Sequence, residues 1–249
     1  DEDGLDTDEL QKVLERGLSP KFLYTIPTFQ NPTASSLTEQ RREHLVELAN
    51  QYNFQIFADE VYQLIYFDQK PPRPMMYFDS GNRVISFGSF SKILAPGLRT
   101  GWIHSSREVV GKFSDAALTF SGGGFNHYAS ALIKEVIDLG HLESNVKKLK
   151  IEYLSRAREM DKSLKEYFGT SVSYSFPKGG YYFWLKFPAG FDSDSFLHYA
   201  EENGVSFRPG NAFSESGKFS RYLRLTYTLF ESDEIREGVK RLAEAYKNT

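Results

Sequence analysis

The chain has 249 residues, which is enough to bury a sizeable core in one large domain or two modest ones. Hydrophobic residues make up 40% and charged residues 25% of the sequence, and the net charge of −3 favours neither a nucleic acid nor an anionic membrane as a partner. No apolar run approaches the roughly 20 residues of a membrane span. The sequence contains no cysteine, which excludes disulfides and thiolate metal sites.

The chain up to residue 105 alternates between amphipathic helices and short apolar strands. The first predicted helix has Asp6 or Thr7 as its N-cap, and the second covers 36–50 with a capping box formed by Ser36 and Glu39. Strands are predicted over 22–27, 54–58, 83–87 and 101–104. This alternation predicts an α/β fold with a mostly parallel sheet.

The sequence pattern becomes helical beyond Gly124 and changes to alternating strands only after residue 168, and we place the break between two lobes near residues 140–150. Helices are predicted over 127–139, 145–168 and 196–203 and from Ser232 onward, with Ser232 as the cap of the last one. Strands are predicted over 171–176, 181–187, 205–207 and 222–228. The first two of these strands are predicted to form a hairpin. We therefore predict two domains, a partial α/β domain over 1–140 and a smaller α+β domain over 141–249.

One segment, SFGSFSKILAPGLRTGW from Ser86 to Trp102, sets a lysine among small hydroxylic residues at the end of a predicted strand. Ser89, Ser91 and Arg99 can surround a phosphate while the amine of Lys92 attacks a carbonyl. That combination is typical of a pyridoxal 5'-phosphate site, in which a lysine forms a Schiff base with the cofactor aldehyde. The alternative is an ordinary turn, since serine, lysine and glycine are common in loops.

Polar residues also follow two earlier strands, and ligands bind at the carboxyl ends of the strands in parallel sheets. Asp59 is the candidate to hold the proton on the pyridine nitrogen, because the reaction stores electrons in the ring. Tyr62 and Asn31 are candidates to hydrogen-bond the phenolic oxygen of the ring. Each residue alone also fits a simpler role, as a helix cap, a packed ring or a turn. The prediction depends on their occurrence together with Lys92.

Arg224 lies in the predicted strand YLRLTYT, with Leu223 and Leu225 on the opposite face. Its guanidinium could bind the α-carboxylate of a substrate through paired hydrogen bonds, or it could be an ordinary charge on an edge strand. The histidines show no metal-ligand spacing, so we predict no metal site; they are His44, His104, His127, His141 and His198.

Six segments together identify a family resemblance: TFQNPT, FADEVY, SFSKILAPGLRTGW, PKGGYYFWL, FRPGNAF and YLRLTYT. Over nearly its whole length the chain resembles the fold-type I pyridoxal-phosphate aminotransferases of the aspartate aminotransferase superfamily. Within that superfamily it looks most like the branch that contains α-aminoadipate and kynurenine aminotransferases and the aminotransferase-like domains of bacterial regulators. The resemblance implies that 1–140 is part of the large cofactor-binding domain and that 141–249 is the small domain.

By this resemblance Lys92 is the Schiff-base lysine, Asp59 pairs with the ring nitrogen, and Arg224 and Asn31 bind the substrate. Amino acids and 2-oxo acids are then the substrates, with 2-aminoadipate and aromatic or other bulky amino acids as candidates, and the full-length protein is a homodimer. Two alternatives stay open: a lyase or decarboxylase on the same fold, and a non-catalytic effector-binding domain of a regulator. We expect a cytoplasmic protein, with a mitochondrial location as the alternative.

Members of the family carry well over a hundred residues before the position that matches Asp1. That missing part holds a glycine- and serine-rich turn for the phosphate and an aromatic side chain that stacks on the ring. We therefore expect this polypeptide by itself to bind pyridoxal phosphate weakly or not at all.

Overall fold

The computed structural model describes residues 1–122 and 125–248, which form two compact units. The first unit comprises residues 1–30 and 35–149, and the second comprises residues 31–34 together with the chain from Lys150 onward. The division into domains at residue 140, drawn from sequence pattern, stays a prediction. Within the described residues, no helix combines the length and the apolar character needed to cross a membrane.

The first unit is built on one sheet with helices before, between and after its strands. Its elements are α1 (Thr7–Glu15), β1 (Phe22–Thr25), α2 (Glu39–Tyr52), β2 (Gln55–Asp59), β3 (Val84–Ser89), β4 (Gly101–His104), α3 (Arg107–Ser114), α4 (Ala117–Gly122), α5 (His127–Asp138) and the start of α6 (His141–Phe168). The strand order is β1-β2-β3-β4; β1, β2 and β3 are parallel, and β4 is antiparallel to β3. The predicted mostly parallel sheet is confirmed.

The two faces of this sheet differ because side chains alternate along each strand. Ile56, Ala58 and Val84 lie on one face and form a buried core with residues of α2, including Leu45 and Leu48. The other face carries the odd-numbered residues of β2 and β3 and the even-numbered residues of β1. Asp59 at the end of β2 and Ser89 at the end of β3 therefore lie on the face away from α2.

The N-termini of α1 and α2 confirm one predicted cap and correct another. Asp6 caps α1 as expected, and its Oδ1 accepts hydrogen bonds from the amides of Asp8 and Glu9, both at 3.0 Å. The predicted capping box at Ser36 is wrong: Thr38 caps α2, because the Ser36 hydroxyl instead accepts a hydrogen bond from the Phe29 amide at 2.9 Å.

The second unit contains a small antiparallel sheet and three helices among its described residues. Its elements are the rest of α6, β5 (Tyr182–Lys186), α7 (Ser193–Glu202), β6 (Arg208–Pro209), β7 (Tyr222–Thr226) and α8 (Ser232–Lys247), and the strand order is β5-β7-β6. Aromatic rings from separate elements of this unit pack around Tyr246 of α8. They are Phe168 at the end of α6, Phe187 just after β5 and Phe196 on α7. Glu231 rather than Ser232 occupies the N-cap of α8.

The predicted hairpin and the predicted strand over 205–207 are not formed as expected. A single bridge joins Ser173 to Lys186, and β5 pairs along its length with β7. The segment before it packs through its side chains instead, since the Tyr174 ring contacts the Phe183 ring and its hydroxyl donates to Asp161 Oδ1 at 3.0 Å. The 205–207 strand lies slightly later, at Arg208–Pro209.

Candidate active site

The carboxyl ends of β2 and β3 bring candidate residues to one edge of the first unit's sheet. Asp59 is the last residue of β2 and pairs in register with Phe87 of β3, and Ser89 is the last residue of β3. Since Phe87 and Ser89 are two residues apart, Asp59 and Ser89 share the face away from α2. The local fold therefore delivers a carboxylate and a hydroxyl to the same edge.

The two oxygens of Asp59 have different environments. Oδ2 accepts a hydrogen bond of 2.6 Å from the hydroxyl of Tyr24, whereas Oδ1 is buried and has no hydrogen-bond partner among the described residues. A buried carboxylate oxygen without a donor is costly, so such an oxygen indicates a binding partner that brings an N–H or a positive charge.

Sequence reasoning missed Tyr24. It lies in β1 opposite Phe57 of β2, so its side chain shares a sheet face with Asp59. Partial burial, followed by the hydrogen bond to Asp59, raises the pKa of Tyr24 above its ordinary value, which keeps the hydroxyl a donor at neutral pH. The alternation of residues along FLYT indicates that Tyr24 lies on the sheet face opposite Leu23. Only the pairing of β1 with β2 shows that Asp59 is the hydrogen-bond partner of Tyr24.

Tyr62 follows Asp59 in a turn that is anchored to the sheet. The amide of Glu60 donates to the carbonyl of Phe87 at 2.9 Å, and the amide of Ile65 donates to the carbonyl of Tyr62 at 2.9 Å. The Tyr62 side chain is only 4% exposed. The turn thus fixes a second phenol close in sequence to the Asp59 carboxylate.

The loop that carries Lys92 is closed by main-chain hydrogen bonds. The amide of Phe90 donates to the carbonyl of Thr100 at 3.1 Å, and the amide of Leu94 donates back to the carbonyl of Phe90 at 2.8 Å. Lys92 lies between these anchors and is partly buried.

The predicted phosphate ligands come together in the same loop. The amide of Ser91 donates to Ser89 Oγ at 3.1 Å, and Arg99 Nη1 donates to Ser91 Oγ at 3.3 Å and to the carbonyl of Pro96 at 3.1 Å. The result is a compact group of hydroxyls and a guanidinium beside Lys92, which is a donor set suited to a phosphate dianion.

A close approach between β3 and β4 supports this loop from the opposite face of the sheet. Gly88 pairs with Trp102, and a Cβ atom on Gly88 would overlap the indole ring. The Trp102 ring also contacts the Phe90 ring, with 4.8 Å between their centroids. Glycine is therefore required at position 88 for the indole to pack beneath the start of the loop.

The second unit brings Arg224 and Asn31 together. Arg224 Nη1 donates to Asn31 Oδ1 at 2.6 Å, and the guanidinium lies over the ring of Tyr182, 4.1 Å from its centroid. Leu223 and Leu225 are buried on the opposite face of β7, as the sequence predicts. Within the part of the chain that the structure describes, the guanidinium is thus oriented by an amide and an aromatic ring rather than by a carboxylate.

The predicted site residues therefore form two sets, each within its own unit. The first unit holds Asp59, Tyr62, Ser89, Ser91, Lys92 and Arg99, and the second holds Asn31 and Arg224.

Comparison with known proteins gives the family. Residues 1–242 match the model for aminotransferase class I and II. The chain is 36% identical to aromatic-amino-acid aminotransferase 1 of Thermococcus litoralis, over 99% of this chain and 60% of that protein. It is also 28% identical to an uncharacterized HTH-type transcriptional regulator of Bacillus subtilis, over 90% of this chain and 46% of that protein.

A solved structure agrees with these matches. The α-aminoadipate aminotransferase LysN of Thermus thermophilus, complexed with N-(5'-phosphopyridoxyl)-L-leucine, superposes with a TM-score of 0.90 at 30% identity. That match covers 100% of this chain and 64% of the LysN chain, so this chain spans less than two thirds of the length of these relatives. The chain belongs to the family of class I and II aminotransferases.

Proposed function

We propose that the protein containing this chain is a pyridoxal-phosphate-dependent aminotransferase that exchanges an amino group between an L-amino acid and a 2-oxo acid. The observation that carries this proposal is the buried Oδ1 of Asp59, which has no hydrogen-bond partner among the described residues. It lies in the same unit as the hydroxyl and guanidinium donors around Lys92. The Asp59 carboxylate matches the ring nitrogen of pyridoxal phosphate, and the donors around Lys92 match its phosphate.

The residues of the first unit fit pyridoxal phosphate. Asp59 Oδ1 would accept from the protonated ring nitrogen, and Ser89, Ser91 and Arg99 would bind the phosphate. When bound, the cofactor supplies an electron sink for the bond that breaks at the substrate Cα. The assignment of Tyr62 and Asn31 to the phenolic oxygen stays a prediction.

Lys92 is the residue to which we assign the chemical step. Its Nζ would hold the cofactor and then carry the proton at the substrate Cα, a double role that needs an amine in a defined position. The main-chain hydrogen bonds from Phe90 to Thr100 and from Leu94 to Phe90 fix the position of the loop that carries this amine. Substituting Lys92 with alanine should therefore abolish turnover.

Arg224 is the residue that we assign to the substrate carboxylate. Its side chain is oriented by Asn31 Oδ1 and by the ring of Tyr182, which leaves the guanidinium edge to pair with a carboxylate through parallel hydrogen bonds. The Phe213 ring also lies near it, 5.0 Å from ring centroid to guanidinium carbon. Aromatic surroundings strengthen the interaction of a cation with its ligand by excluding water.

We propose large substrates, aromatic or 2-aminoadipate-like. Support comes from the rings around Arg224, where Trp184 also pairs in register with it on β5, and from the names of the aromatic and α-aminoadipate relatives. Turnover of phenylalanine, kynurenine, 2-aminoadipate, leucine and alanine should be compared. Activity confined to alanine would refute this substrate class.

The test of the function is an absorbance titration of the complete gene product with pyridoxal phosphate, followed by borohydride reduction and peptide mapping. We expect a protein-bound cofactor band, a label on Lys92, and a 2-oxo acid produced in step with amino transfer. Absence of the band and the label would refute the proposal.

Two alternatives have their own signatures. Release of an eliminated fragment or of carbon dioxide would indicate a lyase or decarboxylase. Cofactor binding without turnover would favour an effector-binding domain, which the similarity to an HTH-type regulator keeps open. The homodimer and the cytoplasmic location stay predictions.

A further inference from the structure

The hydroxyl of Tyr24 restrains the carboxylate that the proposed function assigns to the cofactor. Its 2.6 Å hydrogen bond to Asp59 Oδ2 is in the short range typical of a phenol donating to a carboxylate. The bond joins adjacent parallel strands, since Tyr24 belongs to β1 and Asp59 ends β2. A rigid sheet, rather than a flexible loop, thus sets the donor position.

This bond has a directional consequence for Asp59. The terminal torsion of an aspartate is broad, so an unrestrained carboxylate rotates and exchanges its two oxygens. A phenol bound to Oδ2 removes that freedom and commits Oδ1, which is buried and has no partner among the described residues, as the acceptor for an incoming group. The site then presents one acceptor in one orientation.

We propose that Tyr24 is a positioning residue that acts through Asp59 on the ring nitrogen of the cofactor, so that the site selects a protonated nitrogen heterocycle over an isosteric ring without that nitrogen. This inference rests on the proposed function, because it requires Asp59 to face the ring nitrogen. Tyr24 touches neither the substrate nor the reacting atoms in this scheme; its effect passes through the carboxylate.

A purely structural role is the alternative, and the geometry makes the two separable. The Tyr24 side chain is 56% exposed on the edge strand of the described sheet, so removal of its hydroxyl removes little packing. Tyr24→Phe keeps the ring and deletes the donor alone. Tyr199→Phe is the matched control, since Tyr199 is 47% exposed and lies on α7 in the second unit.

The experiment measures dissociation constants of the complete gene product for two probes: pyridoxal phosphate and 1-deazapyridoxal phosphate, in which a C–H replaces the ring nitrogen. We expect Tyr24→Phe to weaken binding of pyridoxal phosphate about tenfold, the effect of one hydrogen bond to a charged group. Binding of the deaza probe should change less than about twofold. The same substitution in an Asp59→Asn background should have no further effect, because the two residues act as one unit.

Equal weakening of both probes by Tyr24→Phe would overturn the proposal in favour of a structural role, and so would no change in either. A wild-type protein that binds both probes equally would refute the ring-nitrogen role of Asp59 itself, and the Tyr24 proposal with it. A wild-type preference for pyridoxal phosphate that survives in Tyr24→Phe would leave the proposed function intact and overturn only the role of Tyr24.

Discussion

Replacement of Arg42 by methionine would remove a cation from the interior of the first unit. Arg42 lies on α2 and is 0% exposed. Its guanidinium donates to the carbonyl of Leu37 at 3.0 Å, to the carbonyl of Pro27 at 2.7 Å and to Thr28 Oγ1 at 2.8 Å. It also donates to a further carbonyl, that of Arg73, at 3.0 Å. The side chain thus ties α2 to the segments that follow β1 and precede β3.

The same cation faces Glu60, the residue after Asp59. Arg42 Nη1 lies 3.8 Å from Glu60 Oε1, and that carboxylate also accepts from the Met75 amide at 2.9 Å and from the Ser86 hydroxyl at 2.6 Å. Burial lowers the pKa of Arg42 to about 10 against the opposing attraction of Glu60, so the guanidinium keeps its charge at neutral pH. Methionine would fill similar space but leave Glu60 buried without its counterion.

Loss of one partner of a buried ion pair costs about 3–5 kcal/mol. We expect Arg42→Met to lower the free energy of unfolding by that amount, a large share of the roughly 5–15 kcal/mol that stabilises a typical domain. Urea unfolding of the cofactor-free protein, followed by fluorescence, measures the change without a contribution from ligand binding.

Arg41→Met is the matched control, because Arg41 is the neighbouring residue of α2 and pairs at 2.6 Å with Asp1 near the surface. We expect a loss of about 1 kcal/mol or less there. Glu60→Gln in the Arg42→Met background should recover part of the larger loss, since it removes the unpaired charge. A cost of Arg42→Met no greater than that of Arg41→Met would refute the reasoning.

Three further predictions follow from particular contacts. Gly88→Ala should destabilise the protein by about 1–3 kcal/mol in urea unfolding, because its Cβ would overlap the facing indole ring, whereas Gly97→Ala meets no atom within 4 Å and should be nearly neutral. Arg224→Lys should raise KM for the amino acid about tenfold or more in steady-state assays, since lysine cannot form paired hydrogen bonds to a carboxylate; an unchanged KM would refute the assignment. Burial, followed by a hydrogen bond to Asp161, raises the pKa of Tyr174, so the folded state holds this proton more tightly than the unfolded state does. Its contribution to stability is therefore complete below pH 10 and lost as the pH rises further; Tyr174→Phe should flatten that alkaline fall in unfolding free energy, and an unchanged slope would contradict this.

The candidate site was largely predictable where the signal is local. Asp59 directly after the predicted strand over 54–58, Ser89 two residues after the predicted strand over 83–87, and Lys92 directly after Ser91 can be read from residue order. The same holds for Arg224, since alternation with Leu223 and Leu225 defines its face. These assignments need only the two-residue period of a strand and the side-chain chemistry.

The helix caps and the strand pairing of the second unit were less predictable. Ser36 and Thr38 are both good cap residues, and the choice between them depends on the Phe29 amide, which occupies the Ser36 hydroxyl. Likewise Tyr174 bonds to α6 instead of forming a hairpin. In each case a contact distant in sequence competes with the local preference.

The sequence by itself determined the alternation of strands and helices, the family, and the positions of the polar strand ends. Only the tertiary structure decided which of these groups meet. Tyr24 reaches Asp59 across 35 residues because β1 and β2 pair in one register, and Arg224 reaches Asn31 across 193 residues. Arg42 is a further example. Its position three residues before Leu45 puts it on the apolar face of α2. Its burial, however, depends on carbonyls from separate segments that accept hydrogen bonds from the guanidinium. Such contacts depend on chain packing, because hydrogen bonds are directional and short, and sequence periodicity carries no information about distance between segments.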